Sequence, residues 1–115
     1  MTLVEIKNLL EAQLVCGEDP EGKTVNDACA TDMMSCILAH GDGVSALITG
    51  LNNSQVVRTA EMLDVCCIIC VRGMSPCEEM VEMAKKCGIV ILKTQKTMFN
   101  TCGILYENGV GKIGE

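Results

Sequence analysis

From Thr31 onward, the sequence alternates short apolar runs with longer amphipathic segments that each begin near a capping residue. The apolar runs read SALIT, VCCIICV and IVILKT, and they are rich in the β-branched residues that favour strands. Strands separated by helical segments of this kind are joined by right-handed crossovers and lie parallel in one sheet. The pattern therefore predicts an α/β fold: a layered single domain with a mainly parallel sheet flanked by helices.

The first thirty residues precede this regular part and predict a helix followed by two strands. Thr2 and Glu5 have the spacing of a capping box, which begins a helix with apolar residues at helical intervals. The strands are AQLVC and the extended TVNDAC, separated by the turn-like GEDPEGK.

Helix boundaries are predicted from capping residues in three later segments. Thr31 or Asp32 is expected to cap DMMSCILAH, with HGDG ending that helix, and Asn52, Asn53 or Ser54 to cap SQVVRTAEMLD. The clearest signal is in SPCEEMVEMAKKCG. It predicts an N-cap at Ser75, a first helical residue at Pro76, a capping box completed by Glu78 and a helix end at Gly88. Ser and Pro are favoured at helix starts and Gly at helix ends. TMFNTCGILYE is the closing helix and NGVGKIGE a frayed tail, so the domain is expected to span residues 1–107 and the tail 108–115.

Composition limits the classes of partner. The 115 residues are 49% apolar, yet only Phe99 and Tyr106 are aromatic, so the core must use aliphatic side chains together with eight Met and nine Cys. A net charge of −6 offers no basic surface for a phosphate backbone, which argues against nucleic acid as a partner. Without a signal peptide or a long apolar span, we expect a cytoplasmic protein with reduced thiols and no membrane contact.

Polar residues follow the predicted strands at what should be one edge of the sheet. In parallel sheets, ligands bind outside the carboxyl ends of the strands, where helix N-termini present backbone N–H groups. Each polar residue there could instead serve only to cap its own helix. Their convergence predicts a site for a phosphate or carboxylate, with these ligand-binding residues: Asp32, Thr49, Gly50, Asn52, Asn53, Arg72 and Thr94.

The cysteines raise a metal or redox alternative. Cys67 and Cys70 have C-x-x-C spacing, but alternate residues of a strand face opposite ways, so these thiols are expected to pack in the core. Cys66, Cys77 and Cys87 are also assigned to packing, although Cys77 lies where a helix start lowers a thiol pKa. A set of Cys29, Cys36 and Cys102 remains open as a redox or iron–sulfur site.

Sequence signatures of catalysis are lacking. His40 is the only histidine and falls at a predicted helix end, where it is more often a cap or solvated than a base. GVGKIG matches G-x-G-x-x-G, but no helix-forming segment follows it here to hold a pyrophosphate. We therefore expect neither an enzyme nor a cofactor.

The string TDMMSCILA…ALITGLNNSQVVRTAEMLDVCCIICVRGMSPCEEMVEMAKKCGIVILKTQKTMF resembles the DRTGG domain, over residues 1–107. The literal D-R-T-G-G string is absent, and TGLNNSQ and VRG stand in its place. The resemblance implies a fold similar to the N-terminal domains of HPr kinase/phosphorylase and of Mur ligases. It also implies a sensory or regulatory module, often dimeric, with a nucleotide as one candidate ligand and an enzyme as a possible partner.

These observations favour a stand-alone, non-catalytic regulatory domain that binds a small anionic ligand or a partner protein. Two alternatives stay open: a cysteine-based redox or metal-binding accessory protein, and a pure homodimeric interaction module.

Overall fold

The computed structural model describes residues 1–17, 24–40 and 44–111, apart from the side chain of His40. Most of the predicted turn, at 18–23, the segment 41–43 that was predicted to end a helix, and the last four residues lie outside the described residues. Within the described part, helices and strands alternate in the predicted order, with these bounds: α1 Leu3–Leu9, β1 Gln13–Cys16, β2 Ala28–Ala30, α2 Met34–His40, β3 Ala46–Thr49, α3 Ser54–Met62, β4 Cys67–Cys70, α4 Glu78–Cys87, β5 Val90–Lys93 and α5 Met98–Glu107.

The described strands form one five-stranded sheet in the order β1-β5-β4-β3-β2. Strands β2 to β5 are parallel and lie side by side in chain order, whereas β1 is antiparallel to β5 at one edge. Successive crossovers therefore run in one direction, and the carboxyl ends of the four parallel strands share one edge of the sheet. The layered, mainly parallel α/β fold is confirmed.

Alternate residues of the central strands enter two separate cores. Cys67 and Ile69 of β4 pack with α1 and α5, whereas Ile68 and Cys70 pack with α2, α3 and α4. Because both faces of β4 are covered, all four of its residues are buried. The prediction that Cys67 and Cys70 face opposite ways is confirmed. Cys66 lies just before the strand and packs on the same side of the sheet as Cys67, in the core formed with α1 and α5.

Several predicted helix signals are present as expected. Thr2 and Glu5 form the reciprocal capping box of α1. The side chain of Asn53 accepts from the backbone N–H of Val56 at 3.1 Å and caps α3. Gly88 ends α4 in the left-handed conformation, at φ 72°. These are local interactions between near neighbours in sequence, which is why the sequence predicts them.

Two other predicted caps are wrong. Helix α4 begins at Glu78 with Cys77 at the N-cap position, so Ser75 is not the cap and Pro76 is not a helical residue. Helix α2 begins at Met34, beyond the predicted start at Asp32. Instead of capping α2, Asp32 accepts hydrogen bonds from the end of β3. The hydroxyl of Ser75 likewise bonds away from its helix, because it accepts from the ammonium of Lys93 at the end of β5.

The start of the predicted tail is packed against the domain. Residues after α5 form a turn in which Val110 is 4% exposed, and the backbone N–H of Gly111 donates to Asn26 O at 2.9 Å. Burial of Val110 against the core explains why the chain does not fray at Asn108. In the described part of the chain, the helices are too short or too polar to cross a membrane.

Replacing Asn53 with alanine should destabilise the domain by about 1 kcal/mol, because the Val56 N–H loses its cap. Gln55→Ala is the matched control, since Gln55 is exposed one residue into the same helix. Urea unfolding followed by circular dichroism measures both. Equal loss of stability in the two variants would show that the cap contributes nothing.

Candidate functional site

The candidate site is the edge of the sheet where β2, β3, β4 and β5 end. The connections that leave these ends are held to one another rather than standing apart. The backbone N–H of Arg72 donates to Lys96 O at 2.8 Å, and that of Gly73 donates to Thr94 O at 2.8 Å. The connection after β4 is therefore fixed on the connection after β5.

Asp32 joins the connection after β2 to the end of β3. One carboxylate oxygen, Oδ1, accepts from the backbone N–H of Gly50 at 2.6 Å and from the hydroxyl of Thr49 at 3.0 Å. The other oxygen, Oδ2, lies 3.5 Å from Nη2 of Arg72. Asp32 thus uses its first oxygen to hold the backbone and its second to orient the arginine.

The guanidinium of Arg72 lies over Gly50. A Cβ added at Gly50 would stand 2.8 Å from Nη2 of Arg72 and 3.4 Å from both carboxylate oxygens of Asp32. Glycine at position 50 therefore leaves room for the ion pair between Arg72 and Asp32, and a side chain there would displace the guanidinium. Because the side chains of Arg72 and Asp32 are 62% and 44% exposed, the pair is accessible from solvent and contributes little to stability.

The backbone at Arg72 has a conformation that residues with a side chain rarely adopt. Arg72 has φ 57° and Gly73 has φ 70°, so two consecutive residues lie in the left-handed region. Their N–H bonds to Lys96 and Thr94 keep the backbone there. Strained residues that the surrounding structure holds in place cluster at binding sites.

The remaining predicted ligand-binding residues are engaged in the fold itself. Asn52 joins the connection after β3 to the segment that begins α4, with Oδ1 accepting from Cys77 N at 2.6 Å and Nδ2 donating to Ser75 O at 3.0 Å. The buried hydroxyl of Thr94 donates to Leu10 O at 2.8 Å. The edge brings Asp32, Thr49, Gly50 and Arg72 into one cluster, while Asn52, Asn53 and Thr94 build the loops around it.

Lys93, which the sequence reasoning missed, adds a second positive charge at this edge. Its ammonium donates to the hydroxyl of Ser75 at 2.6 Å. The sequence does show a lysine at the end of an otherwise apolar strand, and this pattern could have indicated a charge at the sheet edge. Lys96 also lies nearby, but its ammonium is 3.6 Å from the carboxylate of Glu11.

Two cavities formed by described residues lie elsewhere. One, of about 260 Å³, opens between β2 and α5, and another, of about 280 Å³, lies along α5 beside Phe99. Neither is lined by Arg72 or Asp32. The cluster around Arg72 therefore lies outside both cavities, on the exposed edge of the sheet.

Comparison with known proteins identifies the family of this domain. The model of the DRTGG domain matches residues 5–107, which is most of the chain. The chain belongs to the DRTGG domain family. The resemblance inferred from the sequence is confirmed, and among curated proteins no sequence matches the chain.

A solved structure shows the same fold for this DRTGG domain. It is the crystal structure of the CBS and DRTGG domains of the regulatory region of Clostridium perfringens pyrophosphatase, complexed with the activator diadenosine tetraphosphate. The TM-score is 0.75 at 20% sequence identity, over 90% of this chain and 45% of that chain. The chain thus spans about half the length of that relative.

The structure separates the three cysteines of the metal alternative. Cys29 packs with the core of α2, α3 and α4, whereas Cys102 packs with the core on the other face of the sheet. The prediction that Cys29, Cys36 and Cys102 could meet is wrong, because the sheet lies between Cys29 and Cys102. Within residues 1–17, 24–40 and 44–111, no three His, Cys, Asp or Glu side chains are grouped to hold a metal ion.

Burial makes several thiols poor nucleophiles. It raises the pKa of Cys70 to about 12, with the neighbouring Cys16 adding to the effect. Burial also raises the pKa of Cys102, and that of Cys29, where Cys36 and Asp27 contribute as well. A thiol with a raised pKa stays protonated near neutral pH, whereas the thiolate is the reactive form and the metal ligand.

Substitutions at Gly50 and Gly73 should have different costs. Gly73→Ala should destabilise by about 1–2 kcal/mol, because its φ is left-handed and the added Cβ would overlap the side-chain amide of Gln95. Gly50→Ala should cost less than about 1 kcal/mol, since only the exposed end of Arg72 has to move. Urea unfolding of both variants measures this difference, and equal losses would contradict it.

Alkylation should distinguish Cys70 from the half-buried Cys77. The folded pKa of Cys70 lies above the ordinary value of 9.0, so the folded thiol stays protonated where an unfolded thiol ionises. The contribution of this buried, protonated thiol to the free energy of unfolding is therefore constant below pH 9.0. It decreases as the pH rises toward about 12. At pH 8, iodoacetamide should modify Cys77 well before Cys70, as read by peptide mass spectrometry. Rapid modification of Cys70 in the folded protein would contradict this assignment, and urea-unfolded protein is the control.

Proposed function

We propose that this DRTGG domain is a non-catalytic regulatory module that binds a small anionic ligand through Arg72 at the carboxyl edge of its sheet. A nucleotide is the preferred class, with the phosphate held by the guanidinium. The observation that carries the proposal is the placement of Arg72: an exposed cation on a backbone fixed in the left-handed conformation, above a glycine that leaves it room.

The hydrogen bonds around Arg72 favour binding, because they prepare the site before a ligand arrives. Two backbone bonds hold the connection after β4, and Asp32 orients the guanidinium from one side. A guanidinium carries five N–H donors in a planar fork, so a phosphate can take the donors that Asp32 leaves. Pre-oriented groups lose less conformational entropy on binding.

Charge at the surrounding helix starts directs an anion toward α3. Helix α4 has Glu78 and Glu79 in its first turn, which repel an anion. The first turn of α3 has no acidic residue, and the helix begins at Ser54, four residues after Gly50. The partial positive charge of the α3 N-terminus and the guanidinium of Arg72 therefore act on the same region. The negative charge of Asp32 opposes this attraction and lowers the affinity for an anion.

The comparisons supply the regulatory part of the proposal. The similar DRTGG domain of Clostridium perfringens pyrophosphatase belongs to a regulatory region crystallised with a nucleotide activator. By analogy, this domain senses a nucleotide in the cytoplasm and acts on a partner enzyme. The similar chain is longer, and this chain covers 45% of it. Nucleotide binding by this chain is therefore tested directly.

Thermal unfolding should reveal binding in a panel of diadenosine tetraphosphate, ATP, AMP and pyrophosphate, with adenosine as the uncharged control. A ligand at a hundred times its Kd stabilises the folded state by about 2.7 kcal/mol, which raises the Tm of a domain of this size by several degrees. Arg72→Gln should abolish the shift. Arg58→Gln is the matched control, because Arg58 is exposed on α3 and is not part of the cluster.

A second variant tests the role of Asp32. Asp32→Asn keeps an oxygen for Gly50 but removes the competing charge beside Arg72, so the anion should bind more tightly. Isothermal titration calorimetry measures the change in Kd for the ligand that gives the largest shift. A shift that survives in Arg72→Gln, or no shift with any anion of the panel, would reject the proposed site.

A further inference from the structure

Strand β2 forms one edge of the sheet, and β3 is the only described strand that pairs with it. The carbonyl of Asp27 and the N–H of Thr31 bond to residues of β3 at 3.3 and 3.1 Å. Because alternate residues of a strand turn their backbone groups to opposite sides, those of Ala28 and Ala30 point away from β3. The Ala28 N–H donates to Oδ1 of Asp27 at 2.8 Å. Among the described residues, the N–H and the carbonyl of Ala30 have no hydrogen-bonding partner.

The cavity of about 260 Å³ between β2 and α5 lies beside this edge. Asp27, Tyr106 and Gly111 form part of its lining, and the other walls are apolar: Ala28, Ala30, Ile48, Cys102, Leu105 and Val110. Sheets that bind an extended peptide combine these two features. The free strand edge supplies main-chain hydrogen bonds, and a pocket beside it selects the side chains.

One part of the cavity brings a carboxylate and an aromatic ring together. The backbone N–H of Gly111 donates to Asn26 O at 2.9 Å, which holds the turn after α5 against the start of β2. A Cβ added at Gly111 would lie 3.8 Å from Oδ1 of Asp27 and 3.8 Å from Cδ2 of Tyr106. The carboxylate and the ring therefore face the same space above Gly111. A cationic group in that space would be attracted to both, by ion pairing and by a cation–π contact.

The charge of Asp27 is available for a ligand. Asp27 is exposed, and no Lys or Arg of residues 1–17, 24–40 and 44–111 forms an ion pair with it. Its Oδ1 bonds to the Ala28 N–H, which leaves Oδ2 for a second donor. Apolar walls that lead to a carboxylate match the side chains of Lys and Arg, which have an apolar stem and a cationic head. The net charge of −6 also favours a basic ligand.

We propose that β2 and α5 form a docking site for an extended basic segment of a partner protein. The segment lies beside β2 as an additional strand, and its backbone bonds to the N–H and the carbonyl of Ala30. A Lys or Arg side chain of the segment enters the cavity and places its cationic head beside Asp27 and Tyr106. Asp27 precedes β2, whereas Asp32 and the Arg72 cluster follow it. This site is therefore separate from the proposed anion site.

The strand edge and the cavity select this occupant together. A free amine would pair with Asp27 but would leave the backbone groups of Ala30 unpaired. An acidic peptide would be repelled by Asp27 and by the net charge of the chain. An extended segment with a Lys or Arg satisfies both the backbone groups and the carboxylate. Because β2 has only three residues, few backbone bonds are available, and the cation is expected to decide the affinity.

NMR titration of the whole chain with the synthetic peptide acetyl-TVKVT-amide tests the proposal. The amide signals of Ala30, Tyr106 and Gly111 should shift with peptide concentration, whereas that of Arg58 on α3 should not. A peptide with norleucine in place of its Lys keeps an apolar stem without the charge. It should bind at least about fivefold more weakly, because the ion pair and the cation–π contact are lost. n-Butylammonium carries the cation without a strand and should also bind more weakly than the peptide.

Asp27→Asn tests the role of the carboxylate. The variant keeps an oxygen for the Ala28 N–H, so the start of β2 should be unchanged. It should weaken binding of the Lys peptide about fivefold and leave binding of the norleucine peptide unchanged. Glu107→Gln is the matched control. It removes a negative charge from the residue after Tyr106, and Glu107 does not line this cavity.

Ala30→Pro tests the strand edge. Proline removes an N–H that points away from β3, so the sheet should still form, as circular dichroism and the Tm can verify. Binding of the peptide should weaken, whereas binding of n-butylammonium should not change. Three results would overturn the proposal: no shift with the Lys peptide, equal binding of the norleucine peptide, or unchanged peptide binding in folded Ala30→Pro. If n-butylammonium binds as tightly as the peptide, the cavity is a site for small amines and the docking site is rejected.

Discussion

The sheet is covered by helices on both faces, so polar groups at the ends of its buried strands must find partners in neighbouring connections. Asp32 bonds to the end of β3, Asn52 to the start of α4, and Thr94 to the end of α1. Thr94 is buried, so leaving its hydroxyl unpaired would cost more than the bond contributes, whereas Asp32 and Asn52 are exposed and their bonds join one loop to the next. These bonds hold the loops at the sheet edge in fixed positions.

Arg72 is the residue that this network positions but does not bury. Its backbone is bonded to the connection after β5 and its side chain leans on Asp32, yet the guanidinium remains exposed. The same loops that stabilise the fold therefore orient a cation at the sheet edge. In a chain with a net charge of −6, Arg72 is thus an exposed cation held in place at the sheet edge beside the carboxylate of Asp32.

The two cores contain aliphatic, methionine and cysteine side chains, and the aromatic residues lie outside them. Cysteines act as small apolar side chains in both cores, and burial keeps thiols such as Cys70 protonated. The aromatic residues, which usually contribute most to a core, lie instead on α5. The chain thus uses its cysteines for packing and presents its aromatic side chains to solvent.

The sequence by itself determined the alternation of strands and helices, the caps at Thr2 and Asn53, the stop at Gly88 and the opposite orientation of Cys67 and Cys70. Each of these depends on residues a few positions apart, where propensity and periodicity act. Tertiary structure alone decided that Asp32 turns away from α2, that the Ser75 hydroxyl bonds to Lys93 while Cys77 takes the N-cap position of α4, and that Cys29 and Cys102 are separated by the sheet. These outcomes depend on which connections lie side by side in the fold. A polar side chain bonds to the partner that folding brings nearest, and the separation of two residues along the chain does not predict their distance in space.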